Sequence, residues 1–359
     1  MYKASELELN KLLGIVLERN ASDLHLITGE PPIIRVDGAL LKMEEYEVLN
    51  VDSITALLDL MLNPIQKAQF EKQQDFDFAY SFKDNVRFRV NAYKQKGQLA
   101  AAFRLIPNKI KTVSELNLPE SLLNLTQHKQ GLVLFVGPTG HGKSTALASM
   151  LDYINQTRAE HILTIEDPIE FLFTPRQSII NQRELYIDTP SFGQALRASL
   201  REDCNVLLVG EMRDLESISA TITLAETGHL IFATLHTNDA AQSIDRIIDV
   251  FPPYQQTQIK SQLANVLLGV VSLRLLPKIG GGRIPAVEVL LANTAVRNMI
   301  REGKTYEMDN VVHTNADEGM VSLDHSLANL VSRGLVSTED AMSYVKDRDF
   351  FQSLVSRGI

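Results

Sequence analysis

The stretch Gly131–Met150, "GLVLFVGPTGHGKSTALASM", joins an apolar run to a glycine-rich loop and then to a helical pattern. Residues 137–144 match G-x-x-x-x-G-K-[ST], in which the glycines let backbone N–H groups point at phosphate oxygens. A glycine-rich turn alone would explain the glycines, but not Lys143 and Ser144 together. The stretch therefore predicts a triphosphate site between a strand and a helix. The predicted nucleotide-binding residues are Gly137, Pro138, Thr139, Gly140, His141, Gly142, Lys143, Ser144 and Thr145, with Ser144 also a magnesium ligand.

Outward from this loop, short apolar runs alternate with helical patterns. The runs "HILTI", "VLLV" and "HLIFATL" are each followed by a segment with helical periodicity. Strands that alternate with helices predict a parallel sheet with helices on both faces. In such a sheet the ligand crevice lies outside the carboxyl ends of the strands.

Polar side chains follow these predicted strands, and we expect them to meet around a γ-phosphate. Glu211 follows "VLLV" and is preceded by Gly210, where an aspartate would be expected, so Glu211 itself is predicted to serve Mg²⁺ through water. Glu166 follows "HILTI" and is predicted to orient and deprotonate the attacking water. The alternative for either glutamate is a solvated charge or a helix cap.

Three histidines have separate interpretations. His229 and His236 flank one predicted strand, and seven steps of about 3.3 Å place them roughly 23 Å apart, too far to share a metal ion. We expect His236 to sense the γ-phosphate, and His229 to have a structural or subunit-contact role. His141 has two interpretations. Its side chain points away from the phosphates and is tolerated, or its imidazolium helps to hold phosphate at low pH.

The N-terminal third has a different pattern. It begins with an amphipathic helix, continues with two strands around a turn at Asp37–Gly38 and a helix near Ile54–Met61, and ends in further strands. Those last strands carry Arg87, Arg89 and Arg104, which are either surface charges or phosphate ligands. The sequence predicts an α+β domain over 1–105, a linker over 106–120, and an ATPase domain over 121–359 with a helical tail.

Composition limits the class of protein. The 359 residues suffice for two domains, and 44 acidic against 35 basic residues give a net charge of −9, which disfavours generic nucleic-acid binding. The single cysteine, Cys204, excludes an internal disulfide and a four-cysteine zinc site. There is no signal peptide and no apolar run of about 20 residues. We therefore expect a cytoplasmic protein without direct membrane insertion.

Beyond these local patterns, "GPTGHGKST", "HILTIEDPIEF", "NQRELYIDT", "LREDCNVLLVGEMRDLE" and "AETGHLIFATLHTNDAAQSIDRIIDVFP" resemble the secretion-type ATPases that power type IV pili. The stretch "AVRNMIREGK" is similar to the C-terminal signature of their PilT-type retraction branch. The resemblance covers nearly the whole chain. His141 departs from the small residue usual at its position.

The resemblance implies a fold and a set of roles. The fold is a P-loop, RecA-like ATPase domain with a parallel-rich α/β sheet, preceded by a smaller, PAS-like α+β domain. The subunits form a homohexamer that binds ATP and Mg²⁺ between the two domains. Carried over by motif, Glu166 is the catalytic glutamate, Glu211 the Walker B glutamate, and His229 and His236 the paired histidines. Arg89 and Arg104 match the arginines that reach the γ-phosphate.

The resemblance also implies a motor at the inner-membrane base of the pilus machine. ATP hydrolysis there rotates domains against a membrane platform protein and withdraws pilin from the fibre. Alternatives are an extension or type II secretion ATPase, a scaffold that binds nucleotide without hydrolysis, and a nucleic-acid translocase. Many extension ATPases carry an extra N-terminal domain and a four-cysteine zinc site. This chain begins at the small domain and has one cysteine, which favours retraction.

Overall fold

The structure, a computed structural model, describes residues 2–36, 38–83, 86–106 and 109–357. The chain divides into two compact units. The first unit comprises Met1–Lys109, Asp167–Leu172 and Glu184–Asp188, and the second contains the remaining residues.

The first unit is built on a six-stranded antiparallel sheet in the order β3-β2-β1-β6-β5-β4. Apolar side chains of the helices and of one sheet face form its core, which includes the fully buried Leu12, Phe88 and Phe103. Its elements are α1 (Tyr2–Glu18), β1 (Asp23–Ile27), β2 (Ile33–Val36), β3 (Ala39–Lys42), α2 (Val51–Met61), α3 (Pro64–Gln73), β4 (Asp75–Phe82), β5 (Val86–Gln95) and β6 (Gln98–Ile106).

Two elements of this unit bear on the sequence-based expectations. The hairpin between β2 and β3 is present, with Val36 opposite Ala39, but Asp37 of its predicted turn lies outside the described residues. Helix α3 was missed. Its signal was the sequence Asn63-Pro64-Ile65-Gln66, because Asn63 and Gln66 form a reciprocal capping box and Pro64 occupies the first helical turn.

The second unit alternates strands and helices around a seven-stranded sheet. It begins with a 3₁₀ helix (Glu120–Gln127) and β7 (Gly131–Val136). The further elements are α4 (Lys143–Thr157), β8 (His161–Glu166), β9 (Ile179–Glu184), α5 (Phe192–Ser199), β10 (Val206–Val209), α6 (Leu215–Glu226), β11 (Leu230–Leu235), α7 (Ala240–Asp249), α8 (Pro253–Val266), β12 (Leu267–Pro277), β13 (Arg283–Leu291), α9 (Thr294–Glu302), α10 (Met308–Thr314), α11 (Leu323–Ser332), α12 (Thr338–Met342) and α13 (Arg348–Arg357).

The strand order is β13-β12-β7-β11-β10-β8-β9. The five strands from β12 to β8 are parallel, and β13 is antiparallel to β12. The predicted α/β class with a parallel-rich sheet is confirmed. No element was predicted for α8, β12 or β13, because β12 is a nearly continuous apolar run without periodicity that separates strand from helix.

Alternate residues of β7 show that both faces of this sheet are covered. Leu132 and Leu134 belong to a core cluster with residues of α5 to α9, whereas Val133 and Phe135 belong to a cluster with residues of α4. Because side chains of a strand alternate between faces, helices pack on both sides. A third cluster joins the ends of β12 and β13 to α11 and α13.

In the described part of the chain, no helix is both long and apolar enough to cross a membrane.

A substitution in β7 tests this packing. Leu134→Ala removes a side chain with 0% exposure, so we expect it to lower the free energy of unfolding by about 2–5 kcal/mol. Leu200→Ala, at a position with 50% exposure, is the matched control and should change it by no more than about 0.5 kcal/mol. Urea unfolding followed by circular dichroism gives both values, and equal midpoints for the two variants would contradict the assignment.

Candidate functional site

The phosphate loop, residues 137–144, connects β7 to α4 against the backbone of β12. A Cβ on Gly137 would lie 2.6 Å from the carbonyl oxygen of Leu273, and its φ of +139° also requires glycine. Lys143 is 8% exposed, and its Nζ donates to the carbonyl oxygens of Gly137 at 2.7 Å and Pro138 at 3.0 Å. The N-cap residue of α4, Gly142, has no side chain that could cap the helix, and the start of a helix favours a bound anion.

His236 connects the phosphate loop with Glu211. Its Nδ1 lies 3.4 Å from Thr139 Oγ1 and 3.5 Å from Lys143 Nζ, and its Nε2 lies 3.3 Å from Glu211 Oε2. The loop, His236 and Glu211 follow neighbouring strands in the order β7, β11, β10. The structure thus brings Lys143, His236 and Glu211 together, as predicted from the strand ends.

Glu211 is held as a carboxylate. Arg213 Nε lies 2.6 Å from Glu211 Oε1, and His236 approaches the other oxygen. Burial raises the pKa of Glu211, but the hydrogen bond from Arg213 and the charges of His236 and Arg213 outweigh burial, so the pKa lies below its ordinary value. An ionised carboxylate at this position is suited to a metal-bound water.

Gly210, the residue before Glu211, lies close to the end of β8. A Cβ at this position would lie 3.0 Å from the carbonyl oxygen of Ile165 and 3.2 Å from the α-carbon of Glu166. The glycine therefore lets the end of β10 approach the end of β8 closely. Glu166 is 8% exposed, and its Oε1 accepts a hydrogen bond of 2.6 Å from Thr164 Oγ1 and one of 3.4 Å from Gln182 Nε2.

A cavity of about 400 Å³ opens beside Glu211 and His236. Two of its lining residues are arginines that were not predicted from the sequence. Arg213 stands two residues after Glu211, which was a usable signal, whereas Arg246 lies within α7 in a pattern typical of an ordinary amphipathic helix. The lining residues are Glu211, Met212, Arg213, Leu235, His236, Thr237 and Arg246.

His141 turns towards β12. Its Nδ1 accepts the backbone N–H of Leu275 at 3.0 Å, and its ring meets the Tyr344 ring edge-on with centroids 6.2 Å apart. Burial and the charges of Arg274, Lys143 and Arg283 lower its pKa. This geometry argues against the hypothesis of a phosphate-binding imidazolium, because the nitrogen that accepts the Leu275 N–H carries no proton.

His229 lies before β11 and His236 after it, at opposite ends of the strand, as predicted. His229 Nδ1 lies 3.0 Å from the carbonyl oxygen of Leu224, and the His229 carbonyl accepts from Gly131 N at 3.0 Å. These contacts join the amino ends of β7 and β11. The predicted subunit-contact role of His229 stays a prediction.

The predicted arginines lie on β5 and β6 of the first unit, where Arg89 stands opposite Arg104. Arg89 pairs with Asp77 at 3.0 Å and with Glu170 at 3.3 Å, and Arg104 Nε donates to Asp23 at 2.9 Å. Arg87 pairs with the buried Glu184. The reach of Arg89 and Arg104 to a phosphate stays a prediction.

The donors for a metal ion are few. Within residues 2–36, 38–83, 86–106 and 109–357, no group of three or more His, Cys, Asp or Glu side chains is arranged to hold a metal. Ser144 at the start of α4 and the ionised Glu211 are oxygen donors of the type that Mg²⁺ uses. This small set fits an ion that shares its coordination with nucleotide phosphates and water.

The phosphate loop, the parallel sheet and the strand-end carboxylates define a P-loop ATPase. Residues 3–343 match the family described as "Type II/IV secretion system protein", and the chain belongs to this family. It is 45% identical over 340 residues to the type IV pilus retraction ATPase PilT of Pseudomonas aeruginosa, across 95% of this chain and 98% of that protein. A twitching motility protein of Neisseria gonorrhoeae is 44% identical over 311 residues, across 86% of this chain and 83% of its own.

A solved structure agrees with these relatives. The crystal structure of the pilus retraction motor PilT with bound ADP aligns with a TM-score of 0.88 and 43% identity, across 96% of this chain and 98% of that chain.

The ionised state of Glu211 gives a pH-dependent prediction. Because its folded pKa is depressed, the ionised group favours folding at pH values above about 4.3, the ordinary pKa of glutamate, and this contribution is lost as the pH falls through the folded pKa. We therefore expect the stability of the wild type relative to Glu211→Gln to be nearly constant from about pH 7 to about pH 5, and to decrease as the pH falls below about 4.3.

Urea unfolding at several pH values measures this difference. Glu339→Gln, at an exposed position on α12, is the control and should show a smaller change. A difference between wild type and Glu211→Gln that does not vary with pH would show that Glu211 is not held in its ionised form.

Proposed function

We propose that this protein is the ATPase motor of type IV pilus retraction, which disassembles the fibre and drives twitching motility. The observation that carries the proposal is the contact chain from Lys143 through His236 to Glu211 at the carboxyl edge of the parallel sheet. This arrangement joins the phosphate loop to the carboxylate expected on the metal side, as ATP hydrolysis requires. The retraction branch follows from the identity to PilT along nearly the whole chain.

In this proposal ATP binds at the phosphate loop. Backbone N–H groups of residues 137–142 and the start of α4 receive the phosphates, and the Lys143 ammonium pairs with the β- and γ-phosphates. Ser144 and Glu211 would hold Mg²⁺, Glu211 through a water molecule. When bound, Mg²⁺ neutralises charge on the transferring phosphoryl group.

In this proposal each residue near the γ-phosphate has a separate role. Glu166 orients the attacking water and takes its proton, and the Thr164 hydroxyl fixes the carboxylate from one side. His236 senses the γ-phosphate, because it contacts the phosphate loop and Glu211 at once. Arg89 and Arg104 supply positive charge to the γ-phosphate, and His229 contributes to subunit contact.

At the level of the assembly, we propose a homohexamer that works at the inner-membrane base of the pilus machine. Hydrolysis moves an N-terminal domain (1–105), joined through a linker (106–120), relative to an ATPase domain (121–359). The motion acts on an inner-membrane platform protein, and through it on the pilin fibre. An extension or secretion ATPase is the alternative function.

Two substitutions test the site. We expect Lys143→Ala to weaken ATP binding and abolish turnover, because it removes the ammonium that donates to the carbonyls of Gly137 and Pro138 inside the loop. Glu211→Gln should keep binding but lower turnover by about 100-fold or more, the size of effect that one electrostatic group in an active site supplies. Lys129→Ala and Glu339→Gln, at exposed positions, should hydrolyse ATP as the wild type does. Phosphate release and binding of a fluorescent ATP analogue measure both effects, and turnover near the wild-type rate in Lys143→Ala or Glu211→Gln would refute the site.

The direction of the motor is tested in cells. Deletion of the gene should leave many surface pili that do not retract, with loss of twitching. Complementation with the wild-type gene should restore retraction, and complementation with Glu211→Gln should not. Loss of pili in the deletion strain would identify an extension motor instead.

A further inference from the structure

Strand β12 continues past the end of its neighbour β7. The last paired residues are Ser272 and Val136, while β12 runs on to Pro277. On the other side β13 remains paired along this whole segment. The backbone groups of residues 273–277 that face the β7 side therefore need other partners.

Leu275 presents one of these groups. It stands opposite Pro285, which has no N–H to donate, and it lies two residues after Leu273, so its backbone groups face the same side of the strand as those of Leu273. Its N–H therefore points to the β7 side, where the phosphate loop lies, as the approach of Gly137 to the Leu273 carbonyl shows. The acceptor it finds is His141 Nδ1, at 3.0 Å.

We propose that His141 is a positioning residue for the phosphate loop: by accepting the Leu275 N–H it replaces the missing strand partner of β12 and holds residues 137–142 in their nucleotide-binding conformation. The inference rests on the proposed ATPase function and deepens it. A small residue at this position would have no side-chain atom that reaches Leu275. The histidine is thus a substitute for backbone pairing rather than a phosphate ligand.

The His141 ring also packs edge-on against Tyr344, which lies between α12 and α13. This segment is fixed to the same hairpin, since Lys346 Nζ donates to the buried Glu288 of β13 at 2.8 Å. His141, a residue of the phosphate loop, therefore also contacts the segment that joins the C-terminal helices α12 and α13. If nucleotide stabilises the loop conformation, it also stabilises the docking of this segment, and the coupling is reciprocal.

The charges around the ring keep Nδ1 available as an acceptor. Lys143 of α4, Arg274 of β12 and Arg283 of β13 face His141, together with the Tyr344 ring. Three cations oppose protonation of the imidazole, so the neutral form, with its proton on Nε2, persists at neutral pH. The bond to Leu275 is lost only in acid, below the ordinary histidine pKa of about 6.5.

Two variants of His141 test the proposal in the full-length protein. His141→Ser removes the acceptor. His141→Asn places an amide oxygen at the same number of bonds from the α-carbon as Nδ1, and so can restore it. Hydrogen–deuterium exchange with mass spectrometry reports the Leu275 amide directly. We expect fast exchange in His141→Ser and protection in both the wild type and His141→Asn.

Binding of ADP measures the effect on the site. At about pH 7.5, His141→Ser should bind ADP on the order of 5-fold more weakly, the loss expected for one neutral hydrogen bond, and His141→Asn should recover most of the affinity. As the pH falls from about 7.5 to below about 6.5, the affinity of the wild type should fall more steeply than that of either variant, because only the wild type has a titratable side chain at this position. The proposal would be overturned if the Leu275 amide exchanged at the same rate in the wild type and in His141→Ser. It would also be overturned if these two proteins bound ADP with the same affinity and the same pH dependence.

The exchange data separate this inference from the proposed function. If the wild type failed to bind ADP, the proposed function would be wrong, and the Leu275 amide would still show whether His141 supports the loop. For the coupling, ADP should slow exchange in residues 338–357 of the wild type, and should do so less in Tyr344→Leu. Identical ADP protection in both proteins would exclude His141–Tyr344 as the connection.

Discussion

The parallel alignment of β7, β11, β10 and β8 is the constraint on which the site depends. These strands lie side by side and are buried along almost their whole length, so their carboxyl ends must open at one edge of the sheet. The chain returns to that edge four times and leaves a different functional group each time. The phosphate loop, His236, Glu211 and Glu166 are distant in sequence, and the sheet alone makes them neighbours.

At this edge, two glycines let neighbouring backbone segments approach one another closely. Gly137 lies against the carbonyl oxygen of Leu273, and Gly210 lies against Ile165 and Glu166. In both places a side chain would separate two strands at the point where the functional groups meet. At Gly210 the contact is tight rather than closed, because a Cβ there would meet the backbone of β8 at 3.0–3.2 Å, so a glycine favours the close packing of β10 on β8.

The sequence predicted the parts of the site that depend on local order along the chain. A residue directly after a buried parallel strand must lie at the carboxyl edge, so Glu166, Glu211 and His236 could be placed without knowing the strand order. The direction of the His141 side chain could not be placed, because it depends on Leu275, which lies 134 residues later in a strand with no helical or alternating pattern. Arg246 was missed for a similar reason, since a charged residue on an amphipathic helix is ordinarily solvated.

The final segment of β12, residues 273–277, contacts both the phosphate loop and the C-terminal part of the chain. One edge of its final segment carries the phosphate loop, the other edge carries β13, and the ends of this hairpin pack against α11 and α13. Arg274 on the same segment is 6% exposed, and its guanidinium donates to the carbonyl oxygen of Asn238 at 2.7 Å, in the connection after β11. A displacement of the phosphate loop would therefore change the packing of both the loop after His236 and the C-terminal helices. Because packed interfaces shift between discrete arrangements rather than deform gradually, a hairpin packed between these loops and helices can couple the position of one to the position of the other.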